Sequence, residues 1–385
     1  MNLESLNKIL LLGKPRAFSR EEFDSQMKYH TVEIVTEFSE DVNLVIEGKM
    51  LTPFEQNIND DLYENKNIHS VNIDVLEKEL ARKMDANTLL MSLKLSHDKE
   101  RLKRFIQNSM ISDELFFKLV KMYFWSKEDF FENDDNRDVS AAFIARFYEN
   151  IERNHNVQYA TTGFIHLVNQ ATSWELLKAI SELEPMSFHP KIKMAVAMSV
   201  FIDESMQERF FKSNERHILE ALSFNKKLKL SLVKELMGEV AFGENIAKTV
   251  ELNDEKFELL RVFDRELGLN ESLSLSMQKT LLGLDDEGVN LSLASNGVID
   301  SSLVEILLVS ENEDVQKALY ENSATPVSIL EKAYSDGEHH LALAKNESTP
   351  IEILYQLQLD SRYERAVKTN ESFGKHIQSE NIGWL

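Results

Sequence analysis

Two stretches near the C-terminal end of the chain repeat one pattern of apolar and polar positions. The sequence ALYENSATPVSILEKAY starts at Ala318, ALAKNESTPIEILYQLQ starts at Ala342, and RAVKTNESFGKHI continues the same register from Arg365. The interval is 24 residues, and each repeat has one apolar segment before an asparagine and another after it. Apolar residues at helical spacing predict two short helices in each repeat.

Polar residues at fixed positions predict where these helices begin and end. The asparagine of each repeat, such as Asn346, is expected in the left-handed conformation that commonly ends a helix. Thr349 is predicted to cap the second helix, with Pro350 at its first position and Glu352 completing a capping box.

The same template can be followed upstream, with the interval widening to between 26 and 30 residues in places. The anchors that fit it are Asn108, Asn169, Ser199, Asn225, Asn253 and Asn296. Units near 130–155 and 265–285 are degenerate. Because such short helix pairs cannot bury their apolar faces alone, they are expected to stack into an all-α solenoid over 84–385, most regular at 314–377.

Residues 8–80 follow a different pattern. KILLLG, TVEIV, VNLVIEG and NIHSVNI read as strands, and helices are predicted from Ser19, around Phe54–Glu64 and over DVLEKELARKM. Strands that alternate with helices predict a sheet with helices packed on it. The chain is therefore expected to have two domains, a small α/β domain at 1–83 and the helical repeats at 84–385.

Both regions resemble known families. Gly13 at the end of the first strand, SREE at 19–22, VNLVIEG and NIHSVNIDVLEKEL together resemble a BRCT domain. ALAKNESTPIEILYQLQLDSRYERAVKTN resembles the leucine-rich repeat variant (LRV), an all-helical repeat that forms a curved solenoid, and the repeats are expected to be LRV- or HEAT-like. These resemblances imply binding modules in both regions.

The BRCT resemblance also implies a phosphate site. In that family a Ser or Thr before the first-strand glycine and a Lys at the start of the second helix often hold phosphate. Here Leu12 precedes the glycine and 52–56 contain no lysine. A substitute cationic corner is one interpretation, and solvated loop charges are the other. The candidate residues for anion binding are Gly13, Lys14, Arg16 and Arg20.

Composition limits the chemistry. The 385 residues include no cysteine, which excludes disulfides, thiolate metal sites, cysteine nucleophiles and the iron–sulfur cluster found in one LRV lineage. With 43 Lys and Arg against 65 Asp and Glu, the net charge of −22 disfavours nucleic acid and favours a partner protein with a basic segment. No apolar run approaches the roughly 20 residues that span a bilayer, and a cytoplasmic location is expected.

Motifs for catalysis or cofactors are not found in the sequence. A glycine-rich phosphate loop, HExxH and G-x-S-x-G are missing, so no cofactor or metal is expected. His339 and His340 are adjacent, and consecutive helical residues point about 100° apart, which is poor geometry for a shared metal.

The densest aromatic cluster is MYFWSKEDFF, at Met122–Phe131. One interpretation is a packing junction between irregular repeats, and the other is an exposed patch for a partner protein. The candidate interface residues are Tyr123, Phe124 and Trp125, which Ser126 follows in the sequence.

These patterns together predict a non-enzymatic scaffold or adaptor that binds a partner protein on the concave surface of the solenoid. The alternative is a factor associated with DNA replication or repair, which would bind nucleic acid or a phosphorylated partner through the BRCT-like domain. A third hypothesis is an enzyme whose site forms only in the fold.

Overall fold

The computed structural model describes residues 3, 6–66, 68–148 and 160–380. It divides into two compact units, Met1–Lys193 and Met194–Leu385. The first unit contains a small sheet and the helices that follow it, and the second is helical throughout its described part. The predicted domain boundary at 83/84 lies inside the first unit and stays a prediction.

The N-terminal sheet has four parallel strands in the order β2-β1-β3-β4. The strands are β1 (Lys8–Leu12), β2 (Glu33–Val35), β3 (Leu44–Glu47) and β4 (Ser70–Asn72). Three helices belong to this region, α1 (Arg20–Tyr29), α2 (Pro53–Lys66) and α3 (Ile73–Lys83). The predicted small α/β region is therefore confirmed.

Local sequence explains how these elements form. After Lys8, strand β1 is a run of four buried apolar residues, as expected for a central parallel strand with helices on both faces. The side chain of Ser19 caps α1 by accepting the Glu22 N–H, and the carboxylate of Glu22 accepts the Ser19 N–H to complete a capping box. Gly13 ends β1 at φ +80°, and a Cβ there would lie 2.6 Å from the Lys49 carbonyl oxygen.

The rest of the first unit is helical. Its helices are α4 (Ala86–Ser96), α5 (Lys99–Ile106), α6 (Asp113–Met122), α7 (Asp134–Ala145), α8 (Ala160–Gln170) and α9 (Trp174–Ser181), followed by a 3-10 turn at Glu184–Phe188. Helix α10 (Pro190–Met198) spans the division between the units.

Hydrogen bonds and an aromatic contact join the α/β region to the helices that follow it. The buried Arg101 of α5 donates from Nε to the Ala17 carbonyl, at 2.8 Å, and from its guanidinium to the Glu22 carboxylate. The rings of Phe18 and Phe105 meet edge to face, with centroids 5.3 Å apart. These contacts join the loop after β1 to α5.

Pairs of short helices fill the second unit. They are α11 (Glu204–Ser213), α12 (Arg216–Ser223), α13 (Leu230–Leu236), α14 (Val240–Thr249), α15 (Asp254–Leu260), α16 (Asp264–Gly268), α17 (Leu275–Leu282), α18 (Glu287–Ala294), α19 (Ser301–Leu308), α20 (Glu313–Glu321), α21 (Val327–Asp336), α22 (His340–Lys345), α23 (Ile351–Gln358), α24 (Glu364–Thr369) and α25 (Glu371–Ser379). A 3-10 turn at Arg261–Phe263 precedes α16. No helix in the described ranges is long and apolar enough to cross a membrane.

Buried asparagines join most repeats of the second unit to the one before them. Asn322 shows the pattern, because its Nδ2 donates to the carbonyls of Ala294 and Asn296, both at 2.8 Å. Its Oδ1 accepts the backbone N–H of Ala324. The residues that donate to two carbonyls of the preceding repeat form the asparagine ladder, Asn225, Asn270, Asn296, Asn322, Asn346 and Asn370.

The ladder satisfies backbone groups that a helix end leaves open. Ala294 is the last residue of α18, and carbonyls in the last turn of a helix have no partner within it. Asn322 supplies one amide proton to the Ala294 carbonyl and the other to the carbonyl of Asn296, which lies after the helix, while Asn322 is 8% exposed. Buried polar groups thus set the register between neighbouring repeats.

The structure corrects the predicted helix ends. Asn346 is extended, at φ −72° and ψ 123°, so the predicted left-handed conformation is wrong. Thr349 does not cap the second helix, because its hydroxyl donates to the Leu343 carbonyl at 2.7 Å. Pro350 is the N-cap residue of α23. Thr349 thus closes the first helix of its repeat, and the side chain of Asn346 bonds to the repeat before it, so neither starts the second helix.

Two of the predicted upstream anchors are also wrong. Asn253 is an exposed N-cap of α15, and Asn169 is exposed on α8. The anchor that the sequence pattern missed is Asn270, which lies 20 residues after Val250 and donates to its carbonyl at 2.9 Å. Val250 occupies the equivalent position in the repeat before it and has no side-chain donor.

Candidate interaction surfaces

The turn after β1 places Gly13 beside the start of α2. The backbone N–H of Gly13 donates to Oε1 of Glu55 at 2.8 Å. The other carboxylate oxygen of Glu55 accepts from both the N–H and the hydroxyl of Thr52, each at 2.8 Å. Hydrogen bonds from Thr52 and then from Gly13 lower the pKa of Glu55, so the carboxylate is charged at neutral pH.

The three basic candidates near Gly13 do not point to one site. The guanidinium of Arg16 lies 3.2 Å from Asp74 of α3, while Arg20 pairs with Asp24 one turn further along α1. Lys14 forms a backbone bridge to Lys49, and its charge is a minor cause of the low pKa of Glu55. Arg16 and Arg20 are thus each paired with a carboxylate of the chain.

A second carboxylate organises the same turn. Oε1 of Glu77, which is 3% exposed, accepts backbone N–H groups from Arg16, Ala17 and Phe18 at 2.9 to 3.2 Å. Burial raises the pKa of Glu77, and these three bonds counteract part of that effect. Backbone donors that could hold a phosphate in this turn therefore already bind Glu55 and Glu77.

The predicted aromatic candidates divide into buried and exposed residues. Tyr123 and Trp125 are each 9% exposed, and the indole N–H of Trp125 donates to the Val120 carbonyl at 3.2 Å. Phe124 lies between them and is 86% exposed. The buried Asn136 holds this loop, because its Nδ2 donates to the carbonyl of Ser126 at 3.2 Å.

Phe124 stands at the edge of a groove of about 330 Å³ between α6 and the end of α9. Phe117 and Leu183 supply apolar lining, and Glu184 and Lys121 supply charges of opposite sign. The run 122–131 thus contains both of the roles considered for it, a buried junction and one exposed aromatic side chain.

The sequence patterns did not predict a buried histidine cluster. His189 lies 2.7 Å from Asp129 through Nε2 and 3.2 Å from the hydroxyl of Thr161 through Nδ1. Phe130 stacks on its ring at 5.1 Å. His189 is 8% exposed, so this cluster joins the loop before α7 to α8 and α10 rather than facing a cavity.

Metal ligands do not converge in the part of the chain that the structure describes, where no group of three or more His, Cys, Asp or Glu side chains could hold an ion. His339 has a left-handed backbone and stacks on Tyr320, with ring centroids 4.3 Å apart. His340 contacts Tyr334 and Tyr363 instead. The adjacent histidines therefore pack against different aromatic rings.

In five repeats of the second unit, the helix that precedes the ladder asparagine presents one residue in an equivalent outward position. This residue stands five before the asparagine of the ladder, as Lys317 stands before Asn322. Val315 and Leu319 flank Lys317 at a distance of two residues and are buried, which places Lys317 on the opposite side of α20 from the core. The outward row is Arg265, Leu291, Lys317, Leu341 and Arg365, all of them exposed.

Comparison of the chain with protein-family models, with curated proteins and with solved structures finds no match.

Proposed function

We propose that the protein is a non-enzymatic scaffold that binds another protein on an α-helical solenoid. The observation that carries this proposal is the outward row, in which the first helices of neighbouring repeats present exposed side chains at equivalent positions. Asparagine hydrogen bonds of 2.7 to 3.2 Å fix the spacing of these helices. A repeated and rigid surface of this kind is typical of solenoids that bind extended partners.

The N-terminal region is proposed to be a BRCT-like module. The support is its strand order β2-β1-β3-β4, with α1 between β1 and β2, α2 between β3 and β4, and α3 last. A phosphate at Gly13 would have to displace the Glu55 carboxylate from the backbone N–H. We therefore assign the binding function to the repeats rather than to this corner.

Affinity capture from a native cell extract tests the scaffold function with the intact protein. The row variant combines four serine substitutions, Leu291→Ser, Lys317→Ser, Leu341→Ser and Arg365→Ser. We expect wild type to capture a defined partner protein and the row variant to lose it. The row variant should still fold, because the four substituted side chains face solvent and contribute little to stability.

A matched control carries the same number of apolar and basic substitutions outside the outward row. It combines Lys279→Ser, Ile306→Ser, Lys332→Ser and Leu359→Ser, all at exposed positions. The control is expected to retain the partner. Equal capture by wild type and the row variant would contradict the proposed function.

A further inference from the structure

The outward row alternates between basic and apolar side chains. Arg265, Lys317 and Arg365 carry positive charge, and the leucines at 291 and 341 separate them. The equivalent positions on α12 and α14 hold Glu220 and Asn245. The alternation is thus confined to the five helices α16, α18, α20, α22 and α24.

The basic residues of the row are available to a ligand. Within residues 160–380, neither Lys317 nor Arg365 forms an ion pair, although Glu313 precedes Lys317 by one helical turn. Arg265 has a longer contact, because its Nε lies 3.5 Å from Asp286. The row therefore has two free cations and one that is shared with a surface carboxylate.

In the described part of the chain, the leucines between them are exposed. Leu291 is 37% exposed and Leu341 is 44% exposed, each on the side of its helix that is opposite the core. A side chain that covered either leucine would remove apolar surface from water, which favours binding.

The spacing of the row fits an extended peptide. Neighbouring packed helices lie about 8–10 Å apart, and an extended segment in the polyproline II conformation advances about 3.1 Å per residue, with three residues per turn. Three residues of an extended segment therefore span about one repeat. A segment that runs along the row would place every third side chain opposite one row residue.

We propose that the outward row binds an extended segment of a partner protein in which acidic and apolar side chains alternate at every third position. This inference rests on the proposed scaffold function and names the partner chemistry at its surface. Acidic side chains would pair with Lys317 and Arg365, while apolar side chains would cover the leucines. The local charge of the row is opposite to the −22 of the whole chain, so the acidic surroundings would limit binding to segments in this register.

A peptide fits the row better than a nucleic acid strand does. Every nucleotide carries a phosphate, so a strand would place negative charge against Leu291 and Leu341 as well as against the cations. The peptide can alternate its chemistry in step with the row, and a uniform phosphate backbone cannot.

Fluorescence anisotropy with the intact protein tests this proposal. The probe is a synthetic peptide with glutamate and leucine alternating at every third position and serine elsewhere. Comparison probes are a peptide of the same composition in scrambled order, a peptide with lysine in place of glutamate, and a single-stranded oligonucleotide. The protein variants are Lys317→Glu and Arg365→Glu, with Lys332→Glu on α21 as the control for net charge.

We expect the alternating peptide to bind most tightly and each row variant to weaken it at least tenfold, while Lys332→Glu has little effect. Binding should weaken with added salt, because screening reduces the charge pairing. Equal binding of the scrambled or lysine peptide would overturn the proposal. Tighter binding of the oligonucleotide, with the same loss in the row variants, would also overturn it and would favour nucleic acid.

The two proposals fail in different ways. If the row variant loses its partner from extract but the alternating peptide does not bind, the scaffold function stands and the partner chemistry is wrong. If the peptide binds at the row but the extract yields no partner that depends on it, the scaffold function is contradicted.

Discussion

The two units of the molecule join their helices with different side chains. In the second unit, asparagines such as Asn346 donate to carbonyls 24 and 26 residues earlier in the chain. In the first unit, arginines take this role beside Asn108, which donates to the single carbonyl of Lys78 at 3.4 Å. Arg146 donates to two backbone carbonyls, 35 and 38 residues earlier in the chain. Arg101 donates to a backbone carbonyl 84 residues earlier.

Side-chain length explains the difference. The amide of asparagine is two bonds from its Cα, so both backbones must lie close together and each repeat must have nearly the same length. The guanidinium of arginine ends a long stem and offers five donors, so it can bridge segments at variable distances. A short link therefore imposes periodicity on a sequence, and a long link does not.

This contrast determines how much of the fold could be predicted from the sequence. The 24-residue register was visible because Asn322, Asn346 and Asn370 occupy equivalent places. Asn270 was missed because its interval from Val250 is only 20 residues and Val250 replaces the expected asparagine. The extended backbone of the ladder was missed because an asparagine after a helix also fits a left-handed end.

The candidate sites were predictable to a similar extent. The outward row can be derived from the repeat register once the buried positions of each helix are known. The bond between Gly13 and Glu55 joins residues 42 apart, and no local pattern signals it. Tyr123 and Trp125 are buried while Phe124 is exposed, and it is the distant bonds of Asn136 that orient this loop.

Removal of one asparagine side chain from the asparagine ladder should have the largest effect on stability. Asn322→Ala leaves the buried carbonyls of Ala294 and Asn296 without their side-chain donor. We expect a loss of about 3 kcal/mol in the free energy of unfolding, measured by urea denaturation. Asn322→Gln should recover little of it, because the added methylene displaces the amide from both carbonyls.

The control for this variant is Asn253→Ala, which removes an exposed N-cap and should cost about 1 kcal/mol. Equal losses for the two alanine variants would show that the ladder contributes no more than an ordinary cap.

An intermediate effect is expected from the arginine link of the first unit. Arg146→Met removes donors from the carbonyls of Asn108 and Ile111 and an ion pair with Asp113. The expected loss is about 2 kcal/mol. Hydrogen exchange should accelerate in α5 to α7, while the helices of the second unit keep their wild-type rates.

Arg146→Lys sharpens this test. Lysine retains the charge but cannot direct separate N–H groups to two carbonyls, so it should recover less than half of the lost stability. Full recovery would mean that charge, rather than the shape of the guanidinium, accounts for the link.

The smallest effect concerns the pH dependence of the bond between α1 and α5. Burial acts to raise the pKa of Glu22, but hydrogen bonds from Ser92 and Ser19 and the charge of Arg101 outweigh it and lower the pKa below the usual 4.5. A depressed carboxyl pKa stabilises the fold above the unfolded value, and this contribution is lost as pH falls through the folded value.

Glu22→Gln removes this charge while it retains an acceptor for the capping box. We expect it to cost about 1 kcal/mol at pH 7, because the carboxylate is partly exposed and its pairing is partly screened. The difference between wild type and variant should shrink as the pH is lowered below about 4.5, since wild-type Glu22 then becomes neutral as well. Urea midpoints of both proteins across this range measure the difference directly. A constant difference well below that pH would show that the shape of the carboxyl group, rather than its charge, makes the contribution.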